Sequence, residues 1–199
     1  MFHILLFFPF ITSGQNKLSK KIDSSEIYFI ELDLPFVSEI NINNTTSQFI
    51  EFDYTSRGEY KDATFVSSIL KKNKVYIIEK LISNSIDFND KLSIHKNYST
   101  SFNISFPKNL TLILSVENST TKINAKMEQI DFFQNTGNIY LGEWDSPGKI
   151  KTISANIYFS NHKIKILSTL KEKLNCYTFE SDSVIEVETL SGKLKCTTF

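Results

Sequence analysis

Asp131, Glu143 and Asp145 lie close together in the chain, with Trp144 between the last two. Two carboxylates about 5 to 9 Å apart, one on each side of a scissile bond, are what glycoside cleavage requires. An indole face beside them could stack on a sugar ring. The plainer reading is preferred: solvated turn acids beside a Trp that caps the core. Asp87, Asp90 and His95 make a second group, within a polar stretch where loop chemistry often resides. Its spacing matches no metal site, and His3, His95 and His162 are scattered, so neither a metal nor a cofactor is expected. His162, in Asn161-His162-Lys163, reads as a turn residue. Nucleophile motifs, phosphate-binding glycine loops and Cys-x-x-Cys pairs are absent, and no catalytic residue is assigned.

Tyr140 and Tyr158 each sit between residues that a strand would turn inward, Ile139 with Leu141 and Ile157 with Phe159. They would therefore point outward, where stacked tyrosines contact a sugar or a protein, or else brace neighbouring strands. Tyr140, Trp144 and Tyr158 are the candidate binding residues.

The elements that must hold these side chains show in the C-terminal third. Lys173-Leu174-Asn175-Cys176-Tyr177-Thr178-Phe179 returns twenty positions later as Lys193-Leu194-Lys195-Cys196-Thr197-Thr198-Phe199. A short repeat without a helix between its copies implies one unit stacked on the next. Ile123 with Ala125, Ile139 with Leu141, Ile157 with Phe159, Leu174 with Cys176 and Leu194 with Cys196 form one expected inward series. Ile130 with Phe132, Ile150, Ile164 with Ile166 and Ile185 with Val187 form a second. Turns are expected at 135–137, 145–148 and 191–192. This pattern predicts an all-β chain forming a right-handed parallel β-solenoid with two short strands per rung. A β-sandwich is the alternative. Cys176 and Cys196 hold the same place in successive units, so they would be either a disulfide or a stacked pair of thiols.

Upstream, Ile30, Leu32 and Leu34, then Ile40 and Ile42, then Ile50, Phe52 and Tyr54 alternate with polar residues as half-buried strands do. Two more strands flank a turn at 71–74. Residues 83–100 are polar and aperiodic, a loop seam within a single domain spanning 26–199. Residues 15–25 lack apolar period and read as a mobile leader. Residues 1–14 read as the apolar part of a secretory signal, cleaved before Gln15, although no Lys or Arg precedes them. A buried N-terminal strand is the other reading. No later stretch is apolar for long enough to span a membrane.

With 22 basic and 22 acidic residues and a pI near 6.8, the chain offers no electrostatic case for nucleic acid or an anionic membrane. Its 17 Phe and 8 Tyr favour strands and supply a real core.

The run from Phe88 through Lys96, the strand-Pro-strand segment 102–116, and the units on Thr136-Gly137-Asn138-Ile139 and Leu190-Ser191-Gly192-Lys193-Leu194 carry a resemblance. Over residues 30–199 the chain resembles the uncharacterised exported putative-adhesin, or head-domain-like, β-solenoids common in Bacteroidetes. The regular Thr/Ser-Gly turn of that family is only partly kept. The resemblance implies export to the periplasm, cell surface or medium, and a binding or structural role without catalysis. The expected function is thus a non-enzymatic, adhesin-like envelope module that binds a surface glycan or protein. The alternative is a carbohydrate-active enzyme, lyase- or glycosidase-like, using Asp131, Glu143 or Asp145. Phe199 falls within an expected strand, which predicts either self-association through an open C-terminal edge or a missing downstream segment.

Overall fold

The structure, a computed structural model, describes residues 15–58, 60–82, 98–169 and 182–196. Every regular element in them is a strand. The first seven are β1 (Gln15–Asp23), β2 (Phe29–Asp33), β3 (Glu39–Asn44), β4 (Phe49–Gly58), β5 (Thr64–Lys71), β6 (Lys74–Leu81) and β7 (Tyr98–Phe106). There follow β8 (Thr111–Asn124), β9 (Gln129–Trp144), β10 (Gly148–Thr152), β11 (Asn156–His162), β12 (Lys165–Ser168), β13 (Val184–Thr189) and β14 (Leu194–Cys196). Among the described residues no helix is long and apolar enough to cross a membrane.

All the strands belong to one sheet with two halves. One half runs β5, β6, β2, the start of β8, the start of β9, β10, β13, β12. The other runs β1, β4, β7, β3, the end of β8, the end of β9, β11, β14. β8 and β9 pass through both halves, so the halves are continuous rather than the two separate sheets of a sandwich. The β1–β4, β4–β7 and β5–β6 pairings are antiparallel and the others parallel. The chain is all-β, as expected, but its sheet is mixed, because antiparallel strands flank β6 and β7 at the N-terminal end.

Register piles apolar side chains into columns. Ile77, Leu32, Leu114, Phe132, Ile150 and Val187 are successive partners in one half. Phe52, Ile104, Ile42, Ile123, Leu141 and Phe159 are successive partners in the other, and both columns feed one buried core. At roughly 1.5–3 kcal/mol per buried aliphatic or aromatic side chain, these columns are the main favourable contribution to folding.

The two long strands turn a corner without ending. In β8 the buried positions are Leu112, Leu114 and Val116 before the bend, then Ser119, Thr121 and Ile123 after it. In β9 they are Ile130, Phe132 and Gln134, then Ile139 and Leu141, with Trp144 buried at the strand's end. This change of parity keeps both halves facing the core, as a bulge would. The turn expected at 135–137 is therefore a corner inside one strand. Gly137 sits there at φ 100°, and a Cβ on it would lie 2.1 Å from the Ser119 carbonyl oxygen. Only glycine fits.

Three further expectations are corrected. Residues 15–23 are not a leader but edge strand β1, paired along its whole length with β4. Neither face of β1 is fully buried, so no apolar period marked it; backbone pairing and the ion pairs Lys17–Asp53 and Lys21–Glu51 hold it to β4. Ile123 lies level with Leu141, and Thr121 with Ile139, a shift of two from the expected series. A slip of two preserves the inward parity, so alternation alone does not distinguish these registers. Finally, Leu194 pairs directly with Ile157, the place expected for Leu174, and β13 lies between β10 and β12. Charge favours that order. Glu186 and Glu188 reach Lys149 at 3.4 and 2.7 Å, and Glu188 lies 3.6 Å from Lys151. β12 in the same register would set Leu167 beside Lys149 and leave that lysine without a carboxylate. Leu174, Cys176, the 83–97 part of the expected seam, residues 1–14 and Phe199 lie outside the described residues.

Candidate binding face

The outer surface of the half that ends in β11 and β14 carries an in-register row. Asp53, Asn103, Asn41, Lys122, Tyr140, Tyr158 and Lys195 follow one another across seven strands. Strand spacing sets such neighbours about 4.8 Å apart, which brings planar side chains into stacking distance. The Tyr140 and Tyr158 rings do stack, at 4.9 Å between centroids and 11° between planes. Lys195 Nζ stands 5.8 Å over the Tyr158 ring, and Asn41 Nδ2 donates to Asn103 Oδ1 at 2.9 Å. Tyr140 is 39% exposed, so the stack offers an accessible edge and face. The sequence expectation for both tyrosines, outward and adjacent, matches this placement.

A second row runs beside it through Glu39, Thr120, Asn138 and Asn156. Asn156 Nδ2 donates to Asn138 Oδ1 at 3.2 Å. Lys122 Nζ donates to Glu39 Oε1 at 2.9 Å, and this bond holds the Glu39 carboxyl below its ordinary range despite some desolvation. Side-chain amides, hydroxyls and stacked phenols dominate this face. Such groups both donate and accept hydrogen bonds, which suits a hydroxylated ligand or a polar protein surface.

Trp144 is a correction to the candidate set. It is 1% exposed and buried in the core at the end of β9, so it presents no face to a sugar. His162 is not a turn residue either. It ends β11 level with Trp144, is 2% exposed, and lies edge-on to Phe159 at 5.8 Å. Asp131 and Glu143 are exposed on opposite sides of the β9 corner, in the two different halves of the sheet. Asp145 pairs with Lys126. Glu143 and Asp145 do line one depression with Lys126, Asn161 and Lys163, but at about 20 Å³ it is too small to seat a sugar ring between two acids. Asp87, Asp90 and His95 lie outside the described residues. Among the described residues, no group of three or more His, Cys, Asp or Glu side chains could hold a metal.

A polar cluster that sequence reading missed lies under the N-terminal end. Glu79 is 3% exposed; its Oε2 accepts the Phe36 N–H at 2.7 Å and its Oε1 accepts the Tyr54 hydroxyl at 3.0 Å. Burial pushes its carboxyl above the ordinary value, although both hydrogen bonds favour the ionised form. Burial likewise raises Tyr54, which stays a neutral donor. Thr64 Oγ1 links Tyr54 to Tyr98, whose hydroxyl is 2.6 Å away. The signal was present in the sequence: Glu79 shares the inward parity of Val75 and Ile77. A carboxylate at an inward strand position calls for partners.

Beside this cluster, at the corner, a groove of about 450 Å³ is lined by Phe36, Ser38, Tyr98, Asn118, Thr120 and Asn138 with the Gly137 backbone. Another, of about 570 Å³, lies across β1, β4, β7 and β3 and is lined by Lys20, Lys21, Glu51 and Asp53 among others.

No protein-family profile matches the chain, and no curated protein matches it. Among solved structures it is similar to a putative cell adhesion protein from Clostridium sporogenes, at 15% identity and a TM-score of 0.52, over 92% of this chain and 99% of that one. A putative adhesin from Bacteroides fragilis aligns at 9% identity and a TM-score of 0.32, over 92% and 97% of the two chains. At these identities the Clostridium sporogenes likeness shows a shared fold.

Proposed function

We propose that this protein is an exported, non-enzymatic, adhesin-like interaction module. In this reading the stacked parallel rungs form a β-solenoid whose N-terminal end is closed by antiparallel strands. The half-sheet ending in β11 and β14 meets a glycan or protein at a cell surface. One observation carries the reading: the exposed Tyr140–Tyr158 stack, set in a row of amides and lysines on a flat, regularly spaced face. Aromatic anchors of this kind dominate the energetics of recognition surfaces. The fold shared with a protein named for cell adhesion and the signal-like residues 1–14 both support the assignment.

Binding of the purified 15–199 chain to glycan arrays and to intact bacterial and epithelial cells tests it. The wild type is expected to bind, and Tyr140→Ala/Tyr158→Ala to lose at least about tenfold in affinity, or roughly 1.4 kcal/mol. Unchanged binding by the double variant, or no binding to any surface, would defeat the proposal.

A further inference from the structure

The corner groove differs in chemistry from its neighbour across β1, β4, β7 and β3. No side chain lining it is charged, whereas Lys20, Lys21, Glu51 and Asp53 line the other. Its polar lining consists of amides and hydroxyls from Asn118, Asn138, Ser38 and Thr120, and Phe36 and Tyr98 supply aromatic surface. Its volume, about 450 Å³, falls in the range of small-ligand sites.

The walls are fixed before any ligand arrives. Glu79 holds the Phe36 N–H at 2.7 Å, and Thr100 Oγ1 donates to the Phe36 carbonyl at 2.7 Å. The Ser38 N–H donates to Thr100 Oγ1 at 3.0 Å, and Tyr98 is tied to Thr64. Gln134 secures the floor through the carbonyls of Ser119 and Thr136, each at 2.8 Å. A groove held this firmly spares a ligand much of the cost of ordering loops. Ser119 also lines it, with a buried hydroxyl that has no hydrogen-bond partner among the described residues.

We infer that the corner groove binds a neutral saccharide, its hydroxyls meeting Asn118, Asn138, Ser38 and Thr120 and its C–H faces lying against Phe36 and Tyr98. An anionic sugar would find no cation in the lining, and a cationic one no anion; either would lose hydration without a paired charge. A neutral sugar carries hydroxyls that donate and accept, as the amides and hydroxyls here do. Asn138 stands two residues from Tyr140 on the same outward side of β9, so a glycan chain could continue from the groove onto the tyrosine stack. This ligand class deepens the adhesin-like reading and rests on it.

Isothermal titration and saturation-transfer NMR with laminaritriose, cellotriose, chitotriose and trigalacturonate separate the two. At least one neutral trisaccharide is expected to bind, with trigalacturonate weaker by about tenfold or more. Asn118→Ala/Asn138→Ala should weaken the neutral sugar by about tenfold, the scale of one or two hydrogen bonds. Asn118→Ala alone, at an exposed position, should show part of that loss with the thermal midpoint unchanged. Equal or tighter binding of trigalacturonate overturns the assignment, as does a neutral affinity untouched by these variants or no sugar binding up to millimolar concentration. Cell-surface binding lost in Tyr140→Ala/Tyr158→Ala, from a protein that binds none of these sugars, would end the groove assignment and leave the adhesin-like reading standing.

Discussion

The side-chain amide of Gln134 donates to the Ser119 carbonyl at 2.8 Å, across the corner that β8 and β9 turn together. Gln134 has no solvent exposure, donates also to the Thr136 carbonyl, and accepts the Thr121 hydroxyl at 2.7 Å. Gln134→Ala should strip buried groups of their partners and cost about 2–4 kcal/mol. For a chain of this size that lowers the thermal midpoint by roughly 5–15 °C, read by circular dichroism. Thr121→Val, which removes a single bond, should cost about 1 kcal/mol. A Gln134→Ala midpoint within a degree of wild type would mean the corner does not depend on this knot.

Gly137 makes the same point through the backbone. Its φ of 100° and the 2.1 Å approach of a built Cβ to the Ser119 carbonyl oxygen leave no room for a side chain. Gly137→Ala should destabilise by about 1–3 kcal/mol or more, measured by denaturant unfolding. A neutral result would show that β8 and β9 can separate at the corner without penalty.

Glu79 should make stability depend on pH. Its folded-state pKa is raised above the ordinary 4.5, chiefly by burial, with Asp33 nearby adding in the same direction. The folded protein thus keeps the proton at pH values where the unfolded chain has released it. The contribution from this carboxyl is complete below about pH 4.5 and declines as pH rises through the folded-state value. Glu79→Gln is neutral throughout, so its stability relative to wild type should improve as pH rises above about 4.5 and level off once pH passes the raised folded-state value. Urea unfolding at several pH values tests this; a difference that does not vary with pH, or that shrinks on going up, contradicts it.

Alternation made the strands legible. Ile30 with Leu32, Phe102 with Ile104 and Ile157 with Phe159 are inward pairs where period two places them, and Tyr140 and Tyr158 are outward for the same reason. Order and register were not legible. Period two is blind to a slip of two, which is how Ile123 came to lie beside Leu141. It is equally blind to which strand docks first, which Lys149, Glu186 and Glu188 help decide. β1 left no trace because backbone pairing and surface ion pairs to β4 hold it, and neither imposes an apolar period. His162 misled because its polar neighbours suggest a turn, whereas it faces inward at its strand end; Trp144 is buried as a core cap, so its place among the candidate binding residues falls. The corner groove was invisible because Phe36, Tyr98, Asn118 and Asn138 come from four segments far apart in the chain.

A disulfide between Cys176 and Cys196, one of the two readings of that pair, is the last prediction. Cys196 is half-buried against the core beside Phe159, and no cysteine among the described residues is free. The chain has two cysteines, so an oxidised Cys196 leaves Cys176 as its intramolecular partner. Closing a loop of about 20 residues restricts the unfolded chain and should stabilise by about 3 kcal/mol. Intact-mass analysis of alkylated, unreduced protein should find no free thiol, and a peptide map should join the two cysteines. Reduction, or Cys176→Ala/Cys196→Ala, should then lower the midpoint by roughly 5–12 °C. Protein purified without reductant that titrates two thiols would instead make these residues a pair of small apolar fillers, and the C-terminal strands would be held by core packing, pairing and charge without a covalent link.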